Sequence, residues 1–416
     1  LGLRNLTIIE ETLKFIKINQ QKVIDLDHAP LDDKKTYELL GQGETTGIFQ
    51  LESSGMRRYI KDLKPTSIFD LQAMVSLYRP GPMQNIPEFI RRKNNPSLIT
   101  YPHPELEDIL KESYGVLTFQ DDVLLTAIRL AGYTWLDADK FRKAMGKKIP
   151  AEMKKQEEMF IAGCIKNGIT ETKAKELFNL IAPFAGYGFN KAHAACYATI
   201  AFRTGYLKAH FPVEFMTAVL TAESRGTTGP QKNEKIAQAV AECKRLDVPV
   251  LPPDINFSDF EFSIEENTNI RFGLSAVKNV GSAAIESILH ARSSKKFVSF
   301  QDFCSRVDLG KVNKKTLESL IKSGAFDIFG KRATLLIAMP QIIEHMGKTK
   351  RQEADGQESL FGDDNSDISS TFDLAAIDVD DFTLEEKLTF EKEFLGLYLT
   401  SHPHMETLSL IKLQTT

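Results

Sequence analysis

The sequence predicts a mainly α protein, and three observations support that prediction. Residues 104–220 are dominated by helical apolar spacing. The clearest strand patterns are short and lie in two places, GVLTFQ at 115–120 and the alternating stretch within 248–274. No repeat of roughly 20 to 50 residues is present, which argues against a repeat architecture. The 416 residues, 42% hydrophobic and 26% charged, are typical of a globular chain of two to four domains.

The first third of the chain predicts short helices. Residues 1–25 have helical apolar spacing. Residues 34–78 predict several helices, separated by glycines at 41, 43, 47 and 55. The segment LYRPGPM at 77–83 predicts a sharp turn, because its two prolines flank a glycine.

The residue pattern in the last third of the chain changes twice. Residues 248–274 predict a small hairpin or short strands packed beside helices, and residues 275–335 return to short helices. Residues 350–383 are rich in Asp, Glu, Ser and Gly and predict a disordered linker, after which a new helix begins.

The charge of the chain is unevenly distributed. Residues 353–386 hold 12 acidic side chains and no Lys or Arg, which leaves 44 acidic against 52 basic side chains elsewhere. A mildly basic body is compatible with nucleic acid.

The composition also indicates in which cellular compartment the protein functions. No apolar run reaches the roughly 20 residues that span a bilayer, so no membrane partner is expected. The four cysteines are far apart and form no CxxC pair, which argues against zinc and disulfides and favours a reducing cytoplasm. Because the chain begins with Leu1 and not Met, we expect it to be an internal piece of a longer protein.

The segment 184–215 is the strongest candidate for a phosphate site. The glycines Gly186 and Gly188 run directly into an alanine-rich helix. A helix start has unpaired N–H groups and partial positive charge. The polar side chains there are Tyr187, Asn190, Lys191 and His193. The alternative is an ordinary helix start capped by Asn190.

A basic helix is the second candidate. Between residues 140 and 148 there are five cations and no acid. Such a cluster can neutralise a triphosphate or a nucleic-acid backbone, although a solvated helix face is the simpler explanation of a charge run. The five are Lys140, Arg142, Lys143, Lys147 and Lys148.

Residues 273–289 predict a helix–hairpin–helix. The predicted tight turn comprises Lys278, Asn279, Val280 and Gly281, and its backbone amides can grip DNA phosphates without reading sequence. Either Asn279 or Gly281 can supply the left-handed residue that the turn needs. The alternative is a plain αα-hairpin.

Within the acidic linker, Gln357, Leu360 and Phe361 predict a docking peptide, because two isolated apolar residues cannot support a core there. The carboxylate pairs Asp25/Asp27 and Asp121/Asp122 could imitate metal ligands, but capping explains the first pair better.

Ten ordered segments give the chain a family resemblance. The chain resembles the C-family of bacterial replicative DNA polymerases, the family of the DNA polymerase III alpha subunit. The segments are LGLRNLTII, FQLESSGM, YRPGPM, SYGVLTFQDDV, AGYTWLDADKFRKAMGKK, GYGFNKAHAACYA, YLKAHFPVEF, LPPDIN, LIKSGAFD and EKEFLGLYLTSHP.

The resemblance implies the following organisation. Residues 1–250 form a multi-helix fingers domain, of which 1–30 lead out of a palm that precedes Leu1. Residues 251–335 form the helix–hairpin–helix domain with a few short strands, 336–383 the acidic linker with a clamp-binding peptide, and 384–416 the start of an OB-fold region. The family's catalytic carboxylates and their Mg²⁺ ions lie in the palm, so we expect no catalytic residue and no metal ligand in this chain.

The resemblance also implies roles for individual residues. Nucleotide-binding positions correspond to Arg142, Lys143, Lys191, His193, Tyr187 and Arg79. DNA-binding positions correspond to Lys278, Asn279, Val280, Gly281, Lys147 and Lys148. Clamp-binding positions correspond to Gln357, Leu360 and Phe361. Two departures are present: Lys143 stands where the family has Arg, and Asn279 stands where the hairpin has Gly.

The function expected from the resemblance is DNA-directed DNA synthesis in the cytoplasm by the intact protein. The implied partners are template–primer DNA, deoxynucleoside triphosphates (dNTPs), the sliding clamp (beta subunit) and other polymerase III holoenzyme subunits. One alternative is a non-catalytic DNA- and clamp-binding module, and another is an error-prone member of the family.

Overall fold

The computed structural model describes residues 3–147, 149–187, 189–226, 230–354, 374, 377 and 379–401. The chain divides into two compact units. One comprises Leu1–Val23 with Pro212–Thr416, and the other comprises Ile24–Phe211. In this division the first helix and residues 212–250 belong to the same unit as the C-terminal part of the chain. The domain boundaries expected from the resemblance stay a prediction.

The fold is mainly α, as the sequence predicts. In chain order the α-helices of the described residues are α1 Arg4–Gln20, α2 Lys34–Gly41, α3 Ser54–Leu63, α4 Ile68–Leu77, α5 Ile86–Asn94, α6 Glu107–Leu110, α7 Gln120–Ala131, α8 Trp135–Lys147, α9 Pro150–Lys166, α10 Glu171–Tyr187, α11 Lys191–His210, α12 Pro212–Gly226, α13 Pro230–Arg245, α14 Ser282–Ser294, α15 Phe300–Arg306, α16 Lys314–Lys322, α17 Arg332–Ala354 and α18 Leu384–Phe394. Short 3₁₀ turns include Pro82–Asn85 and Leu274–Ala276.

In the unit Ile24–Phe211, helix α11 is central and packs against α2 and α4. Its small residues allow this close approach: a Cβ on Gly205 would lie 3.3 Å from Thr36 Cγ2, and Ala198 and Ala201 are fully buried. Leu40, Ile60, Leu71, Met74 and Phe202 belong to the same core. The alanine-rich sequence of α11 therefore serves packing along its length.

A second core in this unit is built around aromatic rings on α8, α9 and α10 and on Tyr133, which lies between α7 and α8. Phe141 lies 6.3 Å from Phe160 and 6.1 Å from Phe178, measured between ring centroids. Tyr133 contacts Phe141 edge-on at 6.1 Å. Because aromatic pairs bury large areas, they fix which face of α8 points inward.

In the other unit, α1 packs against α12, and Arg4 Nη1 pairs with Glu223 Oε2 at 2.7 Å. The small sheet has the order β1-β3-β2, where β1 is Val250–Leu251, β2 Ser263–Glu265 and β3 Asn269–Arg271. Strands β2 and β3 are antiparallel, whereas β1 is parallel to β3. The hairpin predicted within 248–274 is confirmed.

The structure differs from the sequence predictions at several positions. GVLTFQ is not a strand: only Phe119 pairs, through an isolated parallel bridge to Phe189. Gly55 lies inside α3 and does not separate two helices. Helix α17 runs to Ala354, so it covers the first part of the 336–383 segment that the sequence assigns to the linker. Pro340 within it did not end the helix.

Candidate functional site

The start of α11 is attached to the start of α7. Gln120 N donates to Phe189 O at 3.0 Å, and Lys191 N donates to Asp121 Oδ2 at 2.7 Å. From α4, Gln72 Nε2 donates to Lys191 O at 3.0 Å. These bonds fix the position from which the Lys191 side chain projects.

Asp122 holds the segment that leads into this junction. Its side chain is buried, and Oδ2 accepts from Thr118 N at 2.9 Å and from Phe119 N at 2.8 Å. Burial raises the pKa of Asp122 from 3.8 to about 6, although the two backbone donors and the charge of Lys191 act in the opposite direction. The carboxyl that organises this turn therefore changes charge close to neutral pH.

The backbone amides at the start of α11 are largely occupied. Asn190 is the N-cap, and its Oδ1 accepts from His193 N at 2.9 Å, while Asp121 takes the amide of Lys191. A phosphate site here would therefore depend on the ammonium group of Lys191 more than on helix amides. That ammonium group pairs with Glu112 Oε2 at 2.8 Å.

Two predicted residues lie against the ring of Phe189. The guanidinium carbon of the exposed Arg79 is 3.8 Å from the ring centroid. His193 is 4.8 Å from the same ring and 4.2 Å from the ring of Tyr197. Lys191 begins the same helix, and its ammonium group lies 5.6 Å from the ring centroid of Phe119. Tyr187 ends α10, but its side chain lies outside the described residues, as does Gly188.

Arg142 and Lys143 lie on α8 and share one carboxylate. Arg142 Nη2 is 2.8 Å from Asp139 Oδ1, and Lys143 Nζ is 2.7 Å from Asp139 Oδ2. The hydrogen bonds from Lys143 and Arg142 lower the pKa of Asp139. Among the described residues, no hydrogen bond or ion pair joins these two cations to Lys191 or His193. Lys147 is exposed at the end of α8, and Lys148 is not described.

The predicted DNA-binding turn has one unexpected feature. Before it, the structure has only the 3₁₀ turn Leu274–Ala276, where the sequence predicted a helix. Asn279 takes the left-handed conformation at φ 64°, whereas Gly281 has φ −87° and caps α14.

Contacts with α16 explain why an asparagine suits this turn. Asn279 Nδ2 donates to Ser319 Oγ at 3.1 Å, and Thr316 Oγ1 donates to Asn279 O at 3.1 Å. Val280 is buried, while Lys278 and Gly281 are exposed. The turn therefore exposes Lys278, Asn279 and Gly281, whereas the backbone amides of Lys278 and Val280 already donate to Phe394 O at 2.9 Å and to Val277 O at 3.4 Å.

Sequence reasoning missed Gln72, Glu112 and Phe189, and it considered Asp121 only as an imitation of a metal ligand. Gln72, Glu112 and Asp121 all contact Lys191, which lies 70 to 119 residues away from them in sequence. Local residue spacing contains no information about such distant contacts.

In the part of the chain that the structure describes, no group of three or more His, Cys, Asp or Glu side chains could hold a metal ion. The predicted docking residues Gln357, Leu360 and Phe361 lie outside the described residues.

Two regions of the chain match known protein families. Residues 5–168 match the finger domain of the bacterial DNA polymerase III alpha subunit, and residues 247–335 match a helix-hairpin-helix motif. The two regions thus define a polymerase finger domain followed by a helix–hairpin–helix module.

Individual relatives extend this similarity to nearly the whole chain. DNA polymerase III alpha subunits of Pseudomonas aeruginosa, Thermus aquaticus and Bacillus subtilis are each 42% identical over 97% of the chain. The chain belongs to the family of bacterial DNA polymerase III alpha subunits. It spans about one third of their length, with shares of 36%, 32% and 35%. None of the described helices is long and apolar enough to cross a membrane.

The raised pKa of Asp122 predicts a pH-dependent stability. Because the folded carboxyl titrates at about 6 and the unfolded one near 3.8, the folded state binds more protons in between, and stability falls as pH rises from about 4 to 6. Asp122→Asn removes this titration. The difference in Tm, variant minus parent, should rise by about 5 °C across that range and level off above about pH 7, measured by thermal unfolding.

Asp25→Asn is the matched control, because the hydrogen bond from His28 lowers the pKa of the exposed Asp25. The difference in Tm for this control should not rise between pH 4 and 6. A constant difference for Asp122→Asn would contradict the assigned titration.

Proposed function

We propose that this chain is the nucleotide- and DNA-binding part of a DNA-directed DNA polymerase that replicates chromosomal DNA in the cytoplasm. The observation that carries the proposal is the contact of Arg79 and His193 with Phe189 beside the fixed start of α11 at Lys191, which hydrogen bonds attach to the part of the chain that matches a polymerase finger domain, residues 5–168. Cations at a fixed position suit the triphosphate of an incoming dNTP.

Lys191 would bind the triphosphate by exchanging partners. In the absence of nucleotide its ammonium group pairs with the exposed Glu112. Exposed ion pairs contribute little to stability, so a phosphate group with more negative charge can displace the carboxylate at low cost. The aromatic rings of Phe189 and Tyr197 orient His193, two residues further along the same helix.

Arg142 and Lys143 would act by the same exchange. Both cations would break their ion pairs with Asp139 and bind the β and γ phosphates instead. Positive charge that is already in place where negative charge develops is the main way in which proteins assist phosphoryl transfer. Lys143 retains the charge of arginine but not its bidentate geometry. Tyr187 is proposed as a further wall of this pocket on sequence grounds.

The exposed turn of Lys278, Asn279, Val280 and Gly281 would hold the DNA backbone. Nothing lies within 4 Å of a Cβ placed on Gly281, so a phosphate has room to approach the backbone there. The ammonium group of Lys278 adds charge without base readout. Lys147 and Lys148 would contact DNA from the basic helix.

The catalytic carboxylates and Mg²⁺ ions of the intact enzyme would belong to the palm. The described carboxylates of Asp121 and Asp122 do not fit a metal pair, because backbone amides already occupy an oxygen of each. Every role proposed for this chain is therefore one of binding and orientation. A non-catalytic DNA- and clamp-binding module is the second candidate, since binding is all that these residues supply.

Gln357, Leu360 and Phe361 would dock in a hydrophobic groove of the sliding clamp. A tether turns each rebinding event into an intramolecular one and so increases processivity. The other holoenzyme subunits would assemble around the same intact protein.

Lys191→Ala in an intact polymerase should raise the KM for dNTP or lower kcat by about tenfold or more, because a hydrogen bond to a charged group contributes about 1.5–3 kcal/mol. Single-nucleotide incorporation kinetics measure this. Lys175→Ala is the matched control, since Lys175 is also exposed and paired with a carboxylate, Glu171. Kinetics that do not change in Lys191→Ala would refute the nucleotide assignment.

Combined substitution of Leu360→Ala and Phe361→Ala should abolish the stimulation of synthesis by the clamp while leaving distributive synthesis intact. Product lengths on a singly primed circular template, with and without clamp, measure both activities. Asp363→Ala with Asp364→Ala alters the same segment without removing its apolar residues and should leave stimulation unchanged. Equal loss of both activities in the Leu360/Phe361 variant would argue against a docking peptide.

A further inference from the structure

Helix α8 exposes two large apolar side chains at its start. Trp135 is 66% exposed and Leu136 is 65% exposed. Tryptophan is rarely left in solvent to this extent, and an exposed aromatic ring usually marks a contact surface. No ring or cation contact of the described residues involves the indole of Trp135, and nothing proposed above uses it.

The orientation of this surface is fixed by the opposite face of the helix. Ala138, Phe141, Ala144 and Met145 are buried, and Phe141 packs within the ring cluster of α9 and α10. A rotation of α8 that would bury Trp135 would expose Phe141 and Met145. The exposure of the indole therefore follows from the packing of the core.

The solvent-facing side of α8 is also cationic. The helix Trp135–Lys147 has four cations and two carboxylates. Lys140, Lys143 and Lys147 are exposed and follow Leu136 at helical spacing, so they share its side of the helix. At 1.5 Å per residue, the surface is about 18 Å long.

A surface with one exposed indole and a row of cations fits one kind of partner best. A purely apolar protein surface would have to desolvate the lysines, which is costly. Single-stranded nucleic acid offers both complements, since its phosphates pair with cations and its unpaired bases stack on aromatic rings. Duplex DNA offers the charge alone, because its bases are already stacked.

We propose that the exposed face of α8 binds single-stranded DNA, with a base stacked on Trp135 and the backbone along Lys140 and Lys147. This inference rests on the proposed function and deepens it, because it adds an unpaired template strand to the ligands of the chain.

The test uses a property of the sequence: Trp135 is the only tryptophan among the 416 residues. Titration of the full 416-residue chain with oligothymidylate should quench its fluorescence, and the apparent affinity should weaken as salt is raised. An abasic strand of equal length should bind without that quenching, because it has the charges but no base to stack.

Two variants separate stacking from general apolar contact. With labelled oligothymidylate and anisotropy detection, Trp135→Ala should weaken binding about fivefold or more, the loss expected for one base–aromatic stack. Trp135→Phe should restore most of the affinity. Leu136→Ala is the matched control, because it removes an equally exposed apolar side chain from the same face, and it should have a much smaller effect.

A blunt primer–template duplex distinguishes this inference from the proposed function. If the chain binds the duplex but oligothymidylate leaves the emission of Trp135 unchanged, the stacking surface is refuted and the DNA-binding proposal stands. If the chain binds neither ligand, both are refuted. An emission maximum that shifts to shorter wavelength with protein concentration would show Trp135 buried against a second copy, which also refutes the stacking surface.

Discussion

The hydrogen bond from the backbone of Lys191 to the carboxylate of Asp121 is the contact on which the proposed nucleotide site depends. Together with the Phe119–Phe189 bridge, it attaches the start of α11 to the start of α7. Helix α11 also packs against α2 and α4, and α7 packs against α8. The junction therefore connects the central helix with the aromatic core to which α8 belongs. Asp122 stabilises the adjoining turn, although its burial raises its pKa. We interpret the unfavourable burial of this carboxyl group as a consequence of keeping the proposed phosphate-binding position rigid.

Features that depend on neighbouring residues could be predicted from the sequence. The start of α11 at Asn190, the hairpin within 248–274 and the left-handed turn at Asn279 follow from capping, alternation and backbone sterics. The strand predicted at 115–120 was wrong because its only partner, Phe189, is 70 residues away. For the same reason, the roles of Gln72 and Glu112 could not be predicted, since their partner in each case is Lys191.

The candidate cations share one electrostatic arrangement. Lys191 pairs with Glu112, while Arg142 and Lys143 pair with Asp139. Each pair is at least partly solvent-exposed, so the carboxylates neutralise the cations without holding them strongly. Such an arrangement suits a site that must bind and release a triphosphate in every cycle. The same helix that carries Arg142 and Lys143 also exposes Trp135, so nucleotide and single-stranded DNA would meet different parts of one rigid element.

The central claim is that Asp121 positions the start of α11 for nucleotide binding. Hydrogen exchange of the backbone amides, measured for the full chain and its Asp121→Ala variant, tests this claim most directly. We expect faster exchange at the amides of residues 191–193, unchanged exchange in the buried middle of α11, and weaker binding of dNTP. Unchanged exchange at residues 191–193, or faster exchange along the whole of α11, would contradict the account.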